Sequence, residues 1–149
     1  MAEAVAIIGS GFIGRGWAIA FARCGYDVRL WDVRPEAALA AKDYVASILP
    51  DLAAADLLNG DSVDTVARRI VAVATLEEAL LGVVHVQENA PEIIDLKMDL
   101  FTRLDRLTPP EAVIASSTSS LLPSAFTETL DGRARCVVAH PVNPPHLIR

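Results

Sequence analysis

The sequence contains little cysteine, few aromatic residues and no long apolar run. Its only cysteines, Cys24 and Cys136, exclude a disulfide-based scaffold and fit a reducing, cytoplasmic compartment. Both lie in apolar stretches, so we expect two buried free thiols. The longest apolar run, residues 17–22, is far shorter than the roughly 20 residues that cross a membrane. No membrane partner is therefore expected.

Basic residues are also in the minority. Thirteen Lys and Arg stand against 19 Asp and Glu, and the net charge of −6 argues against a nucleic acid or an anionic membrane as partner. A signal peptide begins with basic residues, but this chain has the acidic Glu3 near its start, so no signal peptide is expected. With 52% hydrophobic and 21% charged residues, the 149-residue chain suits one folded domain rather than a disordered or coiled-coil segment.

Short apolar segments alternate with amphipathic ones along the chain. The apolar segments predict six strands, at residues 5–8, 28–31, 70–73, 83–86, 112–115 and 136–139. Strands separated by helices form a mostly parallel sheet that is covered on both faces. The sequence therefore predicts an α/β, doubly wound fold of the Rossmann type.

Helices are predicted between these strands. The first runs from about residue 13 to 24, and a helical excursion over about 35–69 is expected to break at Pro50 and at residues 59–60. A long helix is predicted to begin at Pro91, and a short one follows Pro123. The apolar face of the long helix is expected to carry Ile94, Met98, Phe101 and Leu104.

Three glycines follow the first predicted strand and open the first helix. Gly9 permits a tight turn, Gly11 lets a pyrophosphate approach the backbone, and Gly14 lets helix and strand pack closely. Asp32 ends the second strand, where a carboxylate accepts the ribose hydroxyls of a dinucleotide and repels a 2′-phosphate. The pattern predicts NAD as cofactor. Arg34 is the residue that argues for NADP instead, because an arginine just past this strand binds a 2′-phosphate.

Polar clusters follow the fourth, fifth and sixth strands, at residues 87–89, 116–120 and 140–145. The carboxyl ends of parallel strands share one edge of the sheet, so these clusters are expected to meet beside a bound nicotinamide. His140 leaves a buried strand and is a candidate general base for removing a proton from a substrate hydroxyl. His85 and His146 are interpreted as structural histidines, and no metal site is predicted.

Five segments in this order identify a family. They are GSGFIGRGWA at 9–18, QENAPE at 87–92, LKMDLF at 96–101, SSTSSL at 116–121 and HPVNPP at 140–145. The chain resembles the NAD-binding half of the L-3-hydroxyacyl-CoA dehydrogenase superfamily, and within it the lambda-crystallin / L-gulonate 3-dehydrogenase branch. The resemblance covers essentially the whole chain.

The resemblance implies a set of cofactor contacts. Asp32 would hold the adenine ribose, and the backbone of Phe12 and Ile13 the pyrophosphate. Glu88 corresponds to an acidic residue near the nicotinamide ribose. Lys97 corresponds to a lysine that contacts NAD, although it lies farther along the chain from Glu88 than in the acyl-CoA enzymes.

The resemblance also implies a catalytic set. Ser119 would donate a hydrogen bond to the substrate oxygen, His140 would act as the base, and Asn143 would contact cofactor or substrate. In the family, a glutamate about a dozen residues beyond the histidine and an asparagine in a second, helical domain complete the site. The 149 residues contain neither, so residues 1–149 are expected to form the NAD-binding domain with the C-terminal helical domain absent.

The expected function is that of an NAD-dependent dehydrogenase domain acting on a small L-3-hydroxy acid such as L-gulonate. Residues 36–66 carry six acidic residues and one lysine, which would repel the phosphates of a CoA thioester. An L-3-hydroxyacyl-CoA dehydrogenase of fatty-acid metabolism and a non-catalytic NAD-binding or structural module remain the alternatives. Mean hydropathy is high, at +0.37. The chain alone is therefore expected to self-associate or to dock to its missing domain. Because the glutamate and the second domain are missing, it is also expected to be inactive.

Overall fold

Six strands form the centre of the fold. The computed structural model describes residues 2–148. The strands are β1 (Ala4–Ile8), β2 (Asp27–Trp31), β3 (Ile70–Ala72), β4 (Val83–Glu88), β5 (Val113–Ser116) and β6 (Cys136–Val138). They form one sheet in the order β3-β2-β1-β4-β5-β6, and all five neighbouring pairs are parallel. The predicted doubly wound α/β fold is confirmed.

The strand order brings the carboxyl ends of the central strands together. Ile8, the last residue of β1, pairs with Trp31 of β2 on one side and with Glu88 of β4 on the other. Glu88 also pairs with Ser116 of β5. The chain reverses direction across the sheet between β1 and β4, and open α/β sheets bind their ligands at such a switch point.

Helices cover both faces of this sheet. They are α1 (Phe12–Arg23), α2 (Pro35–Ala54), α3 (Val63–Arg69), α4 (Leu76–Leu80), α5 (Ile94–Leu107) and α6 (Ser124–Thr127), with 3₁₀ turns at Arg133–Arg135 and Pro145–Leu147. Two separate hydrophobic clusters lie on the two faces. The first comprises buried residues from Val5 to Ile70, contributed with the strands by α1, α2 and α3. The second joins Ala6 and Ile8 of β1 to buried residues between positions 76 and 130.

One of the two predicted breaks in the helical excursion is wrong. The helix α2 continues through Pro50 for a total of 20 residues. Proline removes one helical hydrogen bond and usually costs about 3 kcal/mol inside a helix. Here it is exposed on the outer face, while Val45, Leu49 and Leu52 hold the other face in the core. The predicted break at residues 59–60 is present, because Asn59 and Gly60 both adopt positive φ angles in the loop before α3.

The long helix α5 begins at Ile94 rather than at Pro91, and its predicted apolar face is partly wrong. Phe101 and Leu104 are buried, but Met98 is 42% exposed. Lys97 takes the inward position instead, because an acidic partner lies beneath it. A short helix that the sequence interpretation missed, α4, begins with Thr75 and Glu78 in a reciprocal capping arrangement.

The two cysteines are free, as expected, but they are not both buried. Cys24 is exposed at the end of α1, and Cys136 is partly buried at the start of β6. Burial raises the pKa of the Cys136 thiol, and the nearby Asp105 carboxylate raises it further. Among residues 2–148, no helix combines the length and the apolar character that crossing a membrane requires.

Candidate active site

The glycine turn between β1 and α1 has the geometry that a bound phosphate requires. Gly9 adopts a φ of +93°. A Cβ on Gly14 would lie 1.9 Å from the carbonyl oxygen of Gly9, so only glycine permits this approach of helix and turn. A Cβ on Gly11 would meet nothing within 4 Å, and this side of the turn is open to a ligand.

The amino end of α1 stands beside this open side. Gly11 is the N-cap residue, and no side chain caps the helix there. The N–H groups of Phe12 and Ile13 belong to the first turn, where backbone donors have no partner within the helix. Such donors, together with the positive end of the helix dipole, bind phosphate groups. The turn therefore fits the pyrophosphate of a dinucleotide.

Asp32 lies directly after β2 and faces the same turn. Its Oδ2 accepts hydrogen bonds from the backbone N–H and the hydroxyl of Ser10, at 2.9 and 2.7 Å, and its Oδ1 accepts one from the Arg34 N–H at 3.1 Å. Partial burial raises the pKa of Asp32, but these hydrogen bonds outweigh it and hold the pKa below its ordinary value. One acceptor position of Oδ1 is left for a ribose hydroxyl.

An open cleft of about 800 Å³ extends from the glycine turn toward α5. Gly9 and Gly11 line one side of it, Asp32 lies at the end of β2, and Leu96 and Leu100 of α5 supply apolar surface opposite. Pockets of this size and mixed character bind cofactors. The residues present thus fit an adenine dinucleotide, although the individual contacts with NAD stay predictions.

Glu88 and Lys97 form a buried ion pair. The Lys97 ammonium lies 2.8 and 2.9 Å from the two carboxylate oxygens of Glu88, and the two side chains are 1% and 0% exposed. The Ser116 hydroxyl and the Ala90 N–H also donate to this carboxylate, both at 2.6 Å. The structure brings the two predicted residues together, but it turns them toward each other. Their predicted contact with NAD stays a prediction.

The predicted catalytic pair is within hydrogen-bond distance. Ser119 follows β5 and His140 follows β6, and the Ser119 Oγ lies 3.0 Å from the His140 Nε2. Both side chains are exposed to solvent. Asn143 lies three residues farther along, exposed in the loop before the 3₁₀ turn at 145–147. The arrangement leaves a serine hydroxyl and an imidazole nitrogen accessible to a substrate hydroxyl at the carboxyl edge of the sheet.

Glu92 is a residue of this site that the sequence interpretation did not select. Its carboxylate accepts hydrogen bonds from the Thr118 hydroxyl at 2.9 Å and from the backbone N–H of Ser119. Burial raises the pKa of Glu92, but the hydrogen bonds from the 118–120 loop hold it below its ordinary value. Glu92 therefore fixes the loop that presents Ser119. Its position at the end of the QENAPE segment was the available signal.

No group of three or more His, Cys, Asp and Glu side chains is arranged to hold a metal ion in the described part of the chain. Polar side chains at the carboxyl edge of the sheet are instead hydrogen-bonded to one another, as in the pairs Ser119–His140 and Thr118–Glu92. Their arrangement suits proton transfer beside a bound dinucleotide.

The sequence of the chain matches known proteins over nearly its whole length. The family model for "3-hydroxyacyl-CoA dehydrogenase, NAD binding domain" matches residues 4–149. The chain is 47% identical over 145 residues to an L-carnitine dehydrogenase of Streptomyces griseus, which covers 97% of this chain and 42% of the relative. It is 40% identical over 145 residues to the lambda-crystallin of Oryctolagus cuniculus, covering 97% and 46%.

A solved structure shows the same fold. The 3-hydroxybutyryl-CoA dehydrogenase of Escherichia coli K12 superposes with a TM-score of 0.89 and 27% identity, over 99% of this chain and 31% of that one. The chain spans less than half the length of the curated relatives named above.

Proposed function

Since the chain belongs to the NAD-binding domains of the 3-hydroxyacyl-CoA dehydrogenase family, we propose that it serves a dehydrogenase that oxidises the hydroxyl of a small L-3-hydroxy acid. The observation that carries this proposal is the pairing of Ser119 with His140 at 3.0 Å. This pair stands at the same edge of the sheet as the glycine turn. A domain that only bound NAD would have no use for a base at that edge.

The roles of the residues follow from their chemistry. NAD, when bound, accepts a hydride from the carbon that carries the substrate hydroxyl. His140 takes the hydroxyl proton on Nε2, and the Ser119 hydroxyl 3.0 Å from this atom supports the assignment. Ser119 donates a hydrogen bond to the substrate oxygen. Asn143, three residues beyond His140, contacts the cofactor or the substrate.

Charge favours a free acid over a CoA thioester as the substrate. Residues 36–66 form most of α2, the following loop and the beginning of α3, and they carry six acidic side chains and one lysine. Beyond this segment, Arg69 is paired with Asp61 and offsets one of the six charges, and Arg68 is the exposed basic residue that could still attract a phosphate. Phosphates of coenzyme A are attracted by basic side chains rather than by such a surface.

Two free hydroxy acids are the leading candidates. L-Carnitine is favoured by the similarity to the L-carnitine dehydrogenases. L-Gulonate is favoured by the resemblance of the sequence motifs to the lambda-crystallin / L-gulonate 3-dehydrogenase branch. A 3-hydroxyacyl-CoA is the alternative that the E. coli enzyme supports. A comparison of kcat/KM for L-carnitine, L-gulonate and 3-hydroxybutyryl-CoA in the complete enzyme separates them, and a clear preference for the thioester would overturn the proposal.

Cofactor choice is tested on the chain itself. We expect NADH to bind more tightly than NADPH by about tenfold or more, or about 1.4 kcal/mol, because the Asp32 carboxylate repels a 2′-phosphate. Fluorescence titration of both cofactors measures this, and Asp32→Ala should abolish the difference. Asp43→Ala, on the exposed side of α2, is the matched control. Equal affinities for the two cofactors in the unaltered chain would refute the assignment of Asp32.

The catalytic roles are tested in the complete enzyme. We expect His140→Ala and Ser119→Ala to lower kcat by about 10²–10⁴-fold while the affinity for NADH changes little. Ser120→Ala, at the exposed neighbour of Ser119, is the control and should retain activity. Turnover at the level of the unaltered enzyme in either variant would show that the altered residue is structural.

A further inference from the structure

Gln87, the penultimate residue of β4, occupies the centre of a buried hydrogen-bond network between the glycine turn and His140. We propose that Gln87 is a positioning residue for His140, an inference that rests on the proposed function. The Gln87 side chain is completely buried. Its Nε2 donates to the Ser117 Oγ at 2.8 Å and to the Ala139 carbonyl at 3.2 Å, and its Oε1 lies 3.1 Å from the His85 Nε2.

The hydrogen bond from Gln87 to the Ala139 carbonyl fixes the backbone directly before His140. The strand β6 is only three residues long, lies at the edge of the sheet and ends at Val138. Beyond it, the Ala139 N–H donates a hydrogen bond to the Ser116 carbonyl at 2.9 Å, and the Ala139 carbonyl accepts one from the Gln87 amide. Both backbone polar groups of the residue before His140 are thereby fixed. Without the Gln87 amide, only the first of these two bonds would remain.

The Ala139 carbonyl determines which way the Gln87 amide faces, because a carbonyl oxygen can only accept a hydrogen bond. The Gln87 Oε1 is only an acceptor, so His85 carries its hydrogen on Nε2. Burial lowers the pKa of His85, which keeps the ring neutral at neutral pH, and the Phe21 ring packs 5.1 Å from it. If the amide turned over, its oxygen would face the Ala139 carbonyl, and two acceptors would be opposed. The amide hydrogens therefore point toward Ala139 and Ser117, and His85 donates to the amide oxygen on the other side.

Ser117 continues the network toward the cofactor turn. Its hydroxyl accepts hydrogen bonds from Gln87 and from the Trp17 Nε1 at 3.1 Å, and it donates to the Asn89 Oδ1 at 2.8 Å. The Asn89 backbone N–H in turn binds the carbonyl of Ile8, the last residue before the glycine turn, at 2.7 Å. The network therefore connects the turn that fits the pyrophosphate to the residue that precedes the base.

The test combines a spectroscopic measurement at His140 with cofactor binding, both on the 149-residue chain. Gln87→Met keeps the approximate volume of the side chain and removes all three hydrogen bonds. We expect the chemical shifts of the His140 ring ¹⁵N signals to change, because the hydrogen bond between its Nε2 and Ser119 is lost. The affinity for NADH should stay within about twofold of that of the unaltered chain. Val86→Ala is the matched control, because Val86 is a neighbouring, fully buried residue without a side-chain hydrogen bond.

The outcomes separate this proposal from the proposed function. Movement of the His140 signals in Gln87→Met but not in Val86→Ala supports positioning by Gln87. Unmoved signals in Gln87→Met, or equal movement in both variants, overturns it even if NADH binds normally. Failure of the unaltered chain to bind NADH would instead refute the proposed function. If Gln87→Met does not fold, His85→Phe replaces it, and a smaller displacement of the same signals is expected.

Discussion

The buried pair of Lys97 and Glu88 offers the sharpest test of how this site is built. Substituting Lys97 by Met removes the ammonium and leaves the Glu88 carboxylate in a place with no access to solvent. Hydrogen bonds from Ser116 and from the Ala90 N–H remain, but neither carries a compensating charge. An ionised carboxylate in such surroundings is strongly unfavourable, so the substitution should destabilise the whole fold.

The size of the loss follows from the burial. Removing one partner of a buried ion pair costs about 3–5 kcal/mol, a large part of the roughly 5–15 kcal/mol that stabilises a typical domain. For a chain of about 150 residues, 1 kcal/mol shifts the melting temperature by about 2–4 °C. The expected decrease in Tm is therefore about 6–20 °C. The double variant Glu88→Gln/Lys97→Met should regain most of this loss, because no charge is then left buried.

Thermal unfolding followed by circular dichroism measures these values. Lys42→Met on the exposed side of α2 is the control, with an expected change within about 0.5 kcal/mol. A loss for Lys97→Met no larger than that of the control would refute the reasoning. If Lys97 acts chiefly on NAD, as the family resemblance implies, the variant would weaken NADH binding and leave Tm nearly unchanged.

Further predictions concern the glycine turn, the buried histidine and the cysteines. Gly14→Ala should destabilise the chain by about 3 kcal/mol or more, since the new Cβ meets a backbone oxygen, whereas Gly11→Ala should cost less than about 1 kcal/mol and mainly weaken NADH binding in titration. Burial lowers the pKa of His85 in the native state, so its contribution to stability is complete above the unfolded pKa of about 6.5 and is lost as the pH falls from there through the native pKa. Urea unfolding should therefore give a lower free energy of unfolding at pH 5 than at pH 7. His85→Phe should reduce this difference. Iodoacetamide at pH 8 should label Cys24 faster than Cys136 in peptide mass mapping, because Cys24 is exposed and the pKa of Cys136 is raised; equal labelling would contradict this.

The fold could be predicted because its signals are local and mutually consistent. Each strand is a short apolar run, and the glycine turn must fall between a strand and a helix to make steric sense. The ends of the helices and strands could be predicted less well, because they also depend on tertiary packing. A proline normally ends a helix, yet packing of the Val45 and Leu49 face holds α2 together past Pro50. Such tertiary contacts are not visible in the local pattern.

The candidate site was predicted in part for a similar reason. Ser119 and His140 could be placed together because both follow neighbouring strands of a parallel sheet. The partners of Glu88 and Lys97 could not, since a charged residue in a helical pattern is normally placed on the outer face. Only the fold shows that Lys97 lies directly over a buried carboxylate. Gln87 escaped notice because the role of an amide depends on the three groups around it.

The separation of the two hydrophobic clusters has a consequence for how the chain folds during synthesis. Every buried residue of the first cluster lies between Val5 and Ile70, so this half of the core is complete in sequence before β4 is translated. The edge of β1 that pairs with β4 stays open until residues 83–88 leave the ribosome, and the face of Ala6 and Ile8 is covered only as residues 76–130 follow. In that interval β1 is paired with β2 on one side only, and its open edge is of the kind that chaperones bind and that leads to aggregation.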